Sequence, residues 1–210
     1  KFGIAHAPAH ETGTVVYVAM DKHYAGYILI ADAIKADAKA TIAGLKARGI
    51  RTIMLTGDSR AVGEAVGKEI GIDEVHSELL PQDKVSKLEE VLASKRKGEK
   101  VIFVGDGIND TPVLARSDIG MAMGGLGSDA AIEAADIVIM DDQPSKILTA
   151  MDVAKETRKI VWQNIIFAMA VKGVFLILGA FGVATMWEAV FADVGVTVLA
   201  VLNSIRILKK

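Results

Sequence analysis

The run from Asn164 to Val183 holds one charged residue, Lys172, in a stretch of 20 residues. A helix of about 20 residues matches the roughly 30 Å hydrocarbon core of a bilayer. A second apolar run, residues 184–210, contains Asp193 and ends in basic residues. The two runs predict a transmembrane hairpin, and a hydrophobic content of 51% agrees with it. The alternative is a pair of buried core helices.

Basic residues flank both ends of the predicted hairpin. Because cytoplasmic loops carry an excess of Lys and Arg, both ends are expected in the cytoplasm. The domain before the hairpin would then also be cytoplasmic, in an integral protein of a plasma or bacterial inner membrane, with the lipid bilayer as a partner. The flanking residues are Lys155, Arg158 and Lys159 before the hairpin and Arg206, Lys209 and Lys210 at its end.

Short β-rich runs alternate with amphipathic stretches from Thr14 to Ile139, which is typical of an α/β fold around a mostly parallel sheet. Helices are predicted over residues 34–49, 59–71 and 81–98, with Pro81 in the first turn of the third and with Gly71 and Gly98 at helix ends. His76 is predicted to lie in a loop. Strands are predicted at residues 14–20, 26–32, 51–57, 100–106, 118–123 and 136–140.

Composition excludes several classes of function. The formal net charge of −2, without a basic patch, argues against nucleic acid as a partner. The chain has no cysteine, so disulfides and thiolate metal sites are excluded within it. His6 and His10 fit no metal-ligand spacing. The first residues resemble neither a signal peptide nor a domain start, so the chain is expected to be a piece of a longer protein.

Polar residues follow two of the predicted strands. Asp106 ends "VIFVGD", and Thr56, Gly57 and Asp58 end "TIMLTGD". The carboxyl ends of parallel strands meet at one edge, where ligands bind in α/β sheets. Taken alone, Asp106 could instead cap a helix that begins near Asn109. Together with Lys84, however, these polar residues form a set suited to phosphoryl transfer, with carboxylates for Mg²⁺ and a cation for phosphoryl oxygens.

The order "TGD" (56–58), "PQDK" (81–84), "GDGIND" (105–110) and "MGGLGSDAAIEAADIVIMDD" (123–142), followed by a membrane hairpin, resembles the C-terminal portion of the heavy-metal-transporting P-type ATPases. The resemblance covers essentially the whole chain. It implies a haloacid-dehalogenase-like phosphorylation domain with ATP and Mg²⁺ as cofactors. In that domain Thr56 and Lys84 contact the phosphoryl group, Asp106 and Asp110 serve the Mg²⁺ site, and Gly57, Asp58, Asn109 and Asp110 complete the catalytic loops.

The family's phosphorylated aspartate stands in a "DKTGT" motif, which this sequence lacks. Asp21 and Lys22 are predicted instead to form the turn of a β-hairpin. The chain alone is therefore expected to be inactive and to need the remainder of the pump. The expected domains are a nucleotide-binding remnant at 1–30, a phosphorylation domain lacking its first strand at 31–145, and a linker helix with the last two membrane helices at 146–210. Asp32 matches the family's hinge position.

The charges within the spans bear on the cargo. The resemblance is to the zinc-, cadmium- and lead-exporting subgroup, and it implies that Asp193 is a ligand of the transported ion and Lys172 its counter-charge. The alternatives are a copper or cobalt pump, a non-catalytic membrane fragment or complementing subunit, and a soluble phosphatase. Counted from Val183 and Trp187, the two charges lie about 16 and 9 Å deep. Contact between them is expected to need the reach of the Lys stem or a helix shift.

The glycines of residues 124–127 fit neither the Walker nor the dinucleotide fingerprint. They predict a structural turn into a helix at Ser128.

Overall fold

The computed structural model describes residues 14–30, 33–124, 129–183 and 185–209, and the chain divides into two compact units, Lys1–Lys146 and Ile147–Lys210. The strands are β1 (Thr14–Met20), β2 (His23–Ile30), β3 (Ile53–Leu55), β4 (Glu74–His76), β5 (Ile102–Gly105), β6 (Ile119–Met123) and β7 (Ile137–Ile139). The helices are α1 (Ala38–Ala47), α2 (Arg60–Ile70), α3 (Pro81–Ser94), α4 (Thr111–Arg116), α5 (Asp129–Ala134), α6 (Lys146–Ala180) and α7 (Met186–Ile205), with short 3-10 turns at Ile108–Asp110 and Arg206–Lys209.

The predicted hairpin turn at Asp21 and Lys22 is confirmed. Strands β1 and β2 pair antiparallel from Thr14↔Ile30 to Met20↔His23. Both turn residues have positive φ, 52° and 65°, as a tight two-residue hairpin turn requires. This position is therefore a turn between strands.

The predicted parallel α/β fold is confirmed, with its strands in two sheets. Strand β3 pairs parallel with β4, and the second sheet has the order β5-β6-β7, also parallel. The central strand β6 is almost wholly buried, because it is covered on both faces, as central parallel strands are. Its Ala122 packs with Leu114 of α4 and Ala131 of α5 in the core. Met121 and Val113 are also buried.

The prediction that His76 lies in a loop is wrong. His76 ends β4, whose sequence, Glu-Val-His, is too short and too polar to signal a strand. Pairing with β3 supplies the strand geometry. The His76 ring nitrogen Nε2 lies 2.7 Å from Oε1 of Glu74, on the same strand.

Helix α3 begins at Pro81 as predicted but ends at Ser94, four residues before Gly98. Its C-terminal neighbour Lys95 is extended, and the Lys95 ammonium binds the carboxylate of Asp118 at 2.6 Å. Gly98 lies in the following turn with φ 94°. Helix α3 therefore ends earlier than the sequence predicted, next to the residue that forms this ion pair. Gly71, by contrast, is the left-handed C-cap of α2.

The second unit contains the predicted pair of membrane-length helices. Helix α6 has 35 residues, about 52 Å at 1.5 Å per residue, so it is longer than a hydrocarbon core. Helix α7 has 20 residues and begins with a capping box between Thr185 and Glu188. Both helices are long and apolar enough to cross a membrane, and little of either is buried within the structure.

Candidate functional site

The loop after β3 is held by its own side chains. The Thr56 hydroxyl donates a hydrogen bond of 2.7 Å to the Asp58 carboxylate and accepts one of 3.1 Å from the Asp58 backbone N–H. One hydroxyl therefore uses both its donor and an acceptor position within the loop, and its rotamer is fixed. A side chain on Gly57 would lie 3.3 Å from the Leu79 carbonyl, so close packing favours glycine there.

The segment after β4 supports this loop through backbone hydrogen bonds. Thr56 donates its N–H to the His76 carbonyl at 2.9 Å, and the N–H of Leu79 returns a bond of 3.1 Å to the Thr56 carbonyl. Glu78 donates its N–H to the Asp58 carbonyl at 2.9 Å. To do so it adopts φ 60°, which is uncommon for a residue with a side chain. The loop is thus preorganised by a strained neighbour.

An ion pair joins the first turn of α3 to the loop after β5. The Lys84 ammonium lies 2.9 Å from Oδ1 of Asp110, and their side chains are only 18% and 12% exposed. A side chain on Gly105 would lie 2.9 Å from the Asp110 Cβ and 3.0 Å from its Oδ2. The glycine at the end of β5 therefore lets the Asp110 carboxylate approach the strand, where it meets Lys84.

Asp110 is the residue before α4, but its carboxylate makes no capping hydrogen bond to that helix. Asp110 is therefore not a side-chain cap of α4. Its charge faces Lys84 instead.

Asp106 differs from Asp110, because its side chain is exposed and makes no hydrogen bond or ion pair with any described residue. Asn109 is exposed as well. An open carboxylate beside backbone and water oxygens fits Mg²⁺, which commonly takes one or two protein carboxylates and keeps water or phosphate oxygens as its other ligands. Among the described residues no three acidic, His or Cys side chains cluster into a complete metal site. Asp106 thus fits as one ligand of a site completed by other oxygens.

The two intramembrane charges meet in the second unit. Lys172 Nζ lies 3.0 Å from Asp193 Oδ1. Lys172 lies eight residues before the end of α6 at Ala180, and Asp193 lies seven residues after the start of α7 at Met186. These offsets correspond to similar depths of about 12 and 10 Å. The unequal depths predicted from the sequence are wrong, because α6 ends at Ala180, three residues before Val183.

Sequence reasoning missed a polar contact between the same two helices. The side chain of Asn203 donates to Oδ1 of Asn164 at 2.8 Å, and Asn164 donates to Ser204 Oγ at 3.0 Å and to the Ala200 carbonyl at 3.2 Å. Amide side chains within apolar runs are the signal that could have identified it. His6, His10, Asp32 and Ser128 lie outside the described residues.

Residues 2–118, more than half of the chain, match the haloacid dehalogenase-like hydrolase family. The chain is 65% identical over 207 residues to the cadmium, zinc and cobalt-transporting ATPase of Bacillus subtilis, covering 98% of this chain and 30% of that protein. It is 56% identical to the zinc-transporting ATPase of Synechocystis, again over 98% of this chain and 29% of the relative. The chain thus spans about 30% of the length of these relatives.

Solved structures agree with the sequence relatives. A crystal structure of a zinc-transporting PIB-type ATPase in the E2.Pi state matches with a TM-score of 0.80 and 36% identity, covering 92% of this chain and 31% of that chain. The catalytic domain of the CPx-ATPase CopB-B matches with a TM-score of 0.54 and 30% identity, over 68% of this chain and 54% of that chain. The predicted resemblance to heavy-metal-transporting P-type ATPases is confirmed, and the chain belongs to the haloacid dehalogenase-like hydrolase family.

Proposed function

We propose that this chain is the C-terminal part of an ATP-driven heavy-metal cation exporter that works through an aspartyl-phosphate intermediate. The observation that carries the proposal is the largely buried Lys84–Asp110 ion pair of 2.9 Å, which joins α3 to the loop after β5 that also holds Asp106. Thr56 follows the carboxyl end of β3. Together these residues offer a cation for phosphoryl oxygens and a free carboxylate for Mg²⁺, and the Thr56 hydroxyl adds a donor once it releases the Asp58 carboxylate.

The sheet edges support a phosphorylated aspartate from outside this chain. Strand β3 pairs only with β4 and β5 only with β6 among the described strands, so each has one open edge. Open parallel edges are places where another strand can pair. A strand carrying the family's "DKTGT" aspartate between them would bring a nucleophile to the ends of β3 and β5. This proposal includes the domains expected from the sequence, with 31–145 as the phosphorylation domain and 1–30 as a nucleotide-domain remnant.

Each site residue has a proposed role. Lys84 binds the phosphoryl oxygens, and Thr56 joins it when its hydroxyl releases the Asp58 carboxylate. Gly57 and Asp58 shape the loop that presents Thr56. Bound Mg²⁺ would neutralise charge on the phosphoryl group. Asp106 holds that ion.

Asn109 and Asp110 orient the site. A direct Asp110 bond to Mg²⁺ stays a prediction. The contact with Lys84 supports a positioning role, because Oδ1 of Asp110 is already engaged. Asp110 would thereby keep the Lys84 ammonium directed toward the phosphoryl group and limit its side-chain freedom.

The membrane pair is proposed to bind the cargo. A lone carboxylate in hydrocarbon costs about 2.5 to 3.5 kcal/mol on insertion scales, so Asp193 needs a counter-charge when no cation is bound. Lys172, 3.0 Å away, supplies it. A divalent cation that binds Asp193 would take over this neutralisation and release Lys172. The exchange lets the site remain charge-compensated in both states.

The cargo proposed is Zn²⁺ or Cd²⁺, in agreement with the names of the relatives, which are called cadmium-, zinc- and cobalt-transporting or zinc-transporting ATPases. Cobalt, an alternative from the sequence, is supported by the same names. Lead stays a prediction from the resemblance. The proposed location is the membrane, with the α/β domain and both hairpin ends cytoplasmic, because basic residues flank the hairpin.

Phosphoenzyme formation tests the enzymatic part of this proposal. The native membrane protein that contains this chain is incubated with radiolabelled ATP, Mg²⁺ and Zn²⁺, and acid-stable label is measured before and after hydroxylamine, which cleaves acyl phosphates. We expect hydroxylamine-sensitive label in the parent and none with Asp106→Ala. Asp141→Ala, which removes an exposed carboxylate paired with Lys146, is the control and should keep the label.

The same assay on the 210-residue chain alone tests where the nucleophile lies. We expect no label, because the phosphorylated aspartate is proposed to lie elsewhere. Label on the isolated chain would contradict that placement, and an unlabelled native protein would favour the non-catalytic alternative.

A further inference from the structure

Helices α6 and α7 meet through polar groups at two levels within the second unit. One level is the Lys172–Asp193 ion pair. The other is a set of hydrogen bonds near the start of the α6 span and the end of α7, which we call the amide clasp. The clasp consists of Asn164, Asn203 and Ser204, with Gln163 and Arg206 bonded to Asn203.

The orientation of Asn203 in the clasp is determined by its neighbours. Arg206 donates to Oδ1 of Asn203 at 2.8 Å, so that oxygen faces a cation and the amide nitrogen faces away from it. The nitrogen then donates to Oδ1 of Asn164 at 2.8 Å. The Asn164 nitrogen is left to donate across the helix pair, to Ser204 and to the Ala200 carbonyl. Each amide therefore uses both its donor and its acceptor.

The clasp and the ion pair line one groove. A groove of about 630 Å³ is lined by Asn164 and Ser204 as well as by Lys172 and Asp193, and its remaining lining is mostly aliphatic. Aliphatic contacts in lipid give little preference for one helix register over another, because the lipid tails are equally apolar. Directional hydrogen bonds are the contacts that specify register there. The clasp is thus suited to hold α6 and α7 in alignment.

The amide clasp and the hairpin connection lie on opposite sides of the Lys172–Asp193 ion pair along the helices. The hairpin connection at residues 181–185 ties the helices at one end, and Lys172 and Asp193 lie seven to eight residues from that end. Asn164 lies a further eight residues along α6, about 12 Å beyond Lys172. The helix pair is therefore tied on both sides of the ion pair. Among the polar contacts between the described residues of α6 and α7, the clasp is therefore what aligns the helices on the side of the ion pair away from the connection.

The ion pair has little other support. The side chains of Lys172 and Asp193 are 59% and 58% exposed, and within the described residues each has the other as its charged partner. A long Lys side chain loses rotamer freedom when it is held in one geometry. Alignment of the helices reduces the distance that this flexible side chain must span.

We propose that Asn164 and Asn203 are positioning residues for the intramembrane ion site, and that their interhelical hydrogen bonds hold α6 and α7 in the register that keeps the Lys172 ammonium on the Asp193 carboxylate. This inference deepens the proposed transport function and rests on it for the identity of the cargo. The pairing itself can be tested without ATP or a transported cation.

The test uses dicyclohexylcarbodiimide, a hydrophobic reagent that adds to protonated carboxyl groups in membranes. A carboxylate paired with an ammonium stays charged and reacts slowly, whereas an unpaired carboxyl group in hydrocarbon takes up a proton and reacts. The full chain is reconstituted in phosphatidylcholine vesicles, and modification of Asp193 is followed by mass spectrometry of its peptide. Glu188, which accepts hydrogen bonds from Thr185 in the cap of α7, is the internal reference.

Lys172→Met should raise the rate of Asp193 modification about tenfold or more, since it removes the counter-charge. Asn164→Ala and Asn203→Ala should each raise the rate about threefold, the effect of losing a typical interhelical hydrogen bond in a membrane. The rate in the Asn164→Ala/Asn203→Ala double variant should be close to that of the faster single variant, because the two residues share one hydrogen bond. It should not exceed the product of the two single increases. Glu188 modification should stay constant throughout.

Thr157→Val is the matched control, since the Thr157 hydroxyl donates to the Val153 carbonyl of its own helix and, among the described residues, makes no bond across to α7. It should modify Asp193 at the parent rate. Helix content measured by circular dichroism identifies any variant that fails to fold. Asn203→Ser replaces the amide donor with a shorter hydroxyl donor and should give an intermediate rate. The proposal is overturned if the clasp variants fold and modify Asp193 at the parent rate, or if Lys172→Met does not raise that rate.

Discussion

Lys84 and Asp110 stand 26 residues apart in sequence, yet the ammonium of one lies 2.9 Å from the carboxylate of the other. This contact joins the loop after β5 to the first turn of α3. It pairs a cation with a carboxylate of the loop that also holds Asp106. The proposed phosphoryl site is therefore partly assembled by its own residues.

Breaking this pair should destabilise the α/β domain. Lys84→Met leaves a largely buried carboxylate without its cation, and we expect the free energy of unfolding to fall by about 2 to 3 kcal/mol. Urea unfolding of the full chain in detergent, followed by circular dichroism, measures the change. Removing both charges with Lys84→Met/Asp110→Leu should cost less than the single change. A double variant that costs as much as Lys84→Met or more would contradict this expectation.

Gly105→Ala should disturb the site through Asp110. The new methyl group would lie 2.9 Å from the Asp110 Cβ and 3.0 Å from a ring carbon of Phe103, so these groups must move. We expect a stability loss of about 1 to 3 kcal/mol and a severe loss of phosphoenzyme in the native membrane protein. Gly98→Ala, whose methyl group would have no neighbour within 4 Å, is the comparison. Because Gly98 has a positive φ, Gly98→Ala should lower the free energy of unfolding, but phosphoenzyme should still form.

Glu78→Gly should stabilise the chain. Glu78 has φ 60°, a conformation that glycine adopts at no steric cost, and we expect a gain of about 1 kcal/mol in urea unfolding. The same substitution at the exposed helical residue Glu69 should have the opposite sign, a loss of about 1 kcal/mol. If both substitutions destabilise the chain equally, the backbone of Glu78 is not strained.

Acid should destabilise the domain through two aspartates. Hydrogen bonds from Lys46 and from the backbone and hydroxyl of Thr52 lower the pKa of Asp73 from 3.8 to about 2. The Lys95 ammonium and the Val101 N–H lower the pKa of Asp118 from 3.8 to about 2. Because the folded-state pKa is lower than the unfolded one, these groups contribute stability above about pH 4 that is lost as the pH falls toward 2.

Urea midpoints at pH 7, 4 and 2.5 measure this acid dependence. Asp73→Asn and Asp118→Asn should each lower stability at pH 7 and flatten its fall below pH 4. A parent-like slope in the double variant would assign the acid sensitivity to other carboxylates.

The features that local sequence determines were predictable. The apolar runs before Thr56 and Asp106 predicted two strands ending in polar loops, and the hairpin turn at Asp21 followed from turn chemistry between alternating runs. The membrane helices followed from the length and hydropathy of their runs. In each case the signal is contained within a few consecutive residues.

What depends on tertiary contacts was not predictable in this way. Strand β4 exists because three residues pair with β3, and its sequence contains little β preference. Helix α6 ends at Ala180 because Gly182 adopts φ 71° and the Val183 N–H bonds back to the Leu178 carbonyl, which shifted the expected depth of Lys172. The amide clasp joins residues about 40 positions apart. No periodicity in the sequence reports such pairings.

Metal-stimulated ATP hydrolysis tests whether Asp193 serves ATP-driven metal export. The native membrane protein that contains this chain is reconstituted and assayed with Zn²⁺, Cd²⁺, Co²⁺, Pb²⁺ and Cu⁺, for the parent and for Asp193→Ala. Our account predicts stimulation by Zn²⁺ and Cd²⁺ in the parent and its loss in the variant, while the α/β domain stays folded. Undiminished Zn²⁺ stimulation in Asp193→Ala, or stimulation of the parent by Cu⁺ alone, would contradict it.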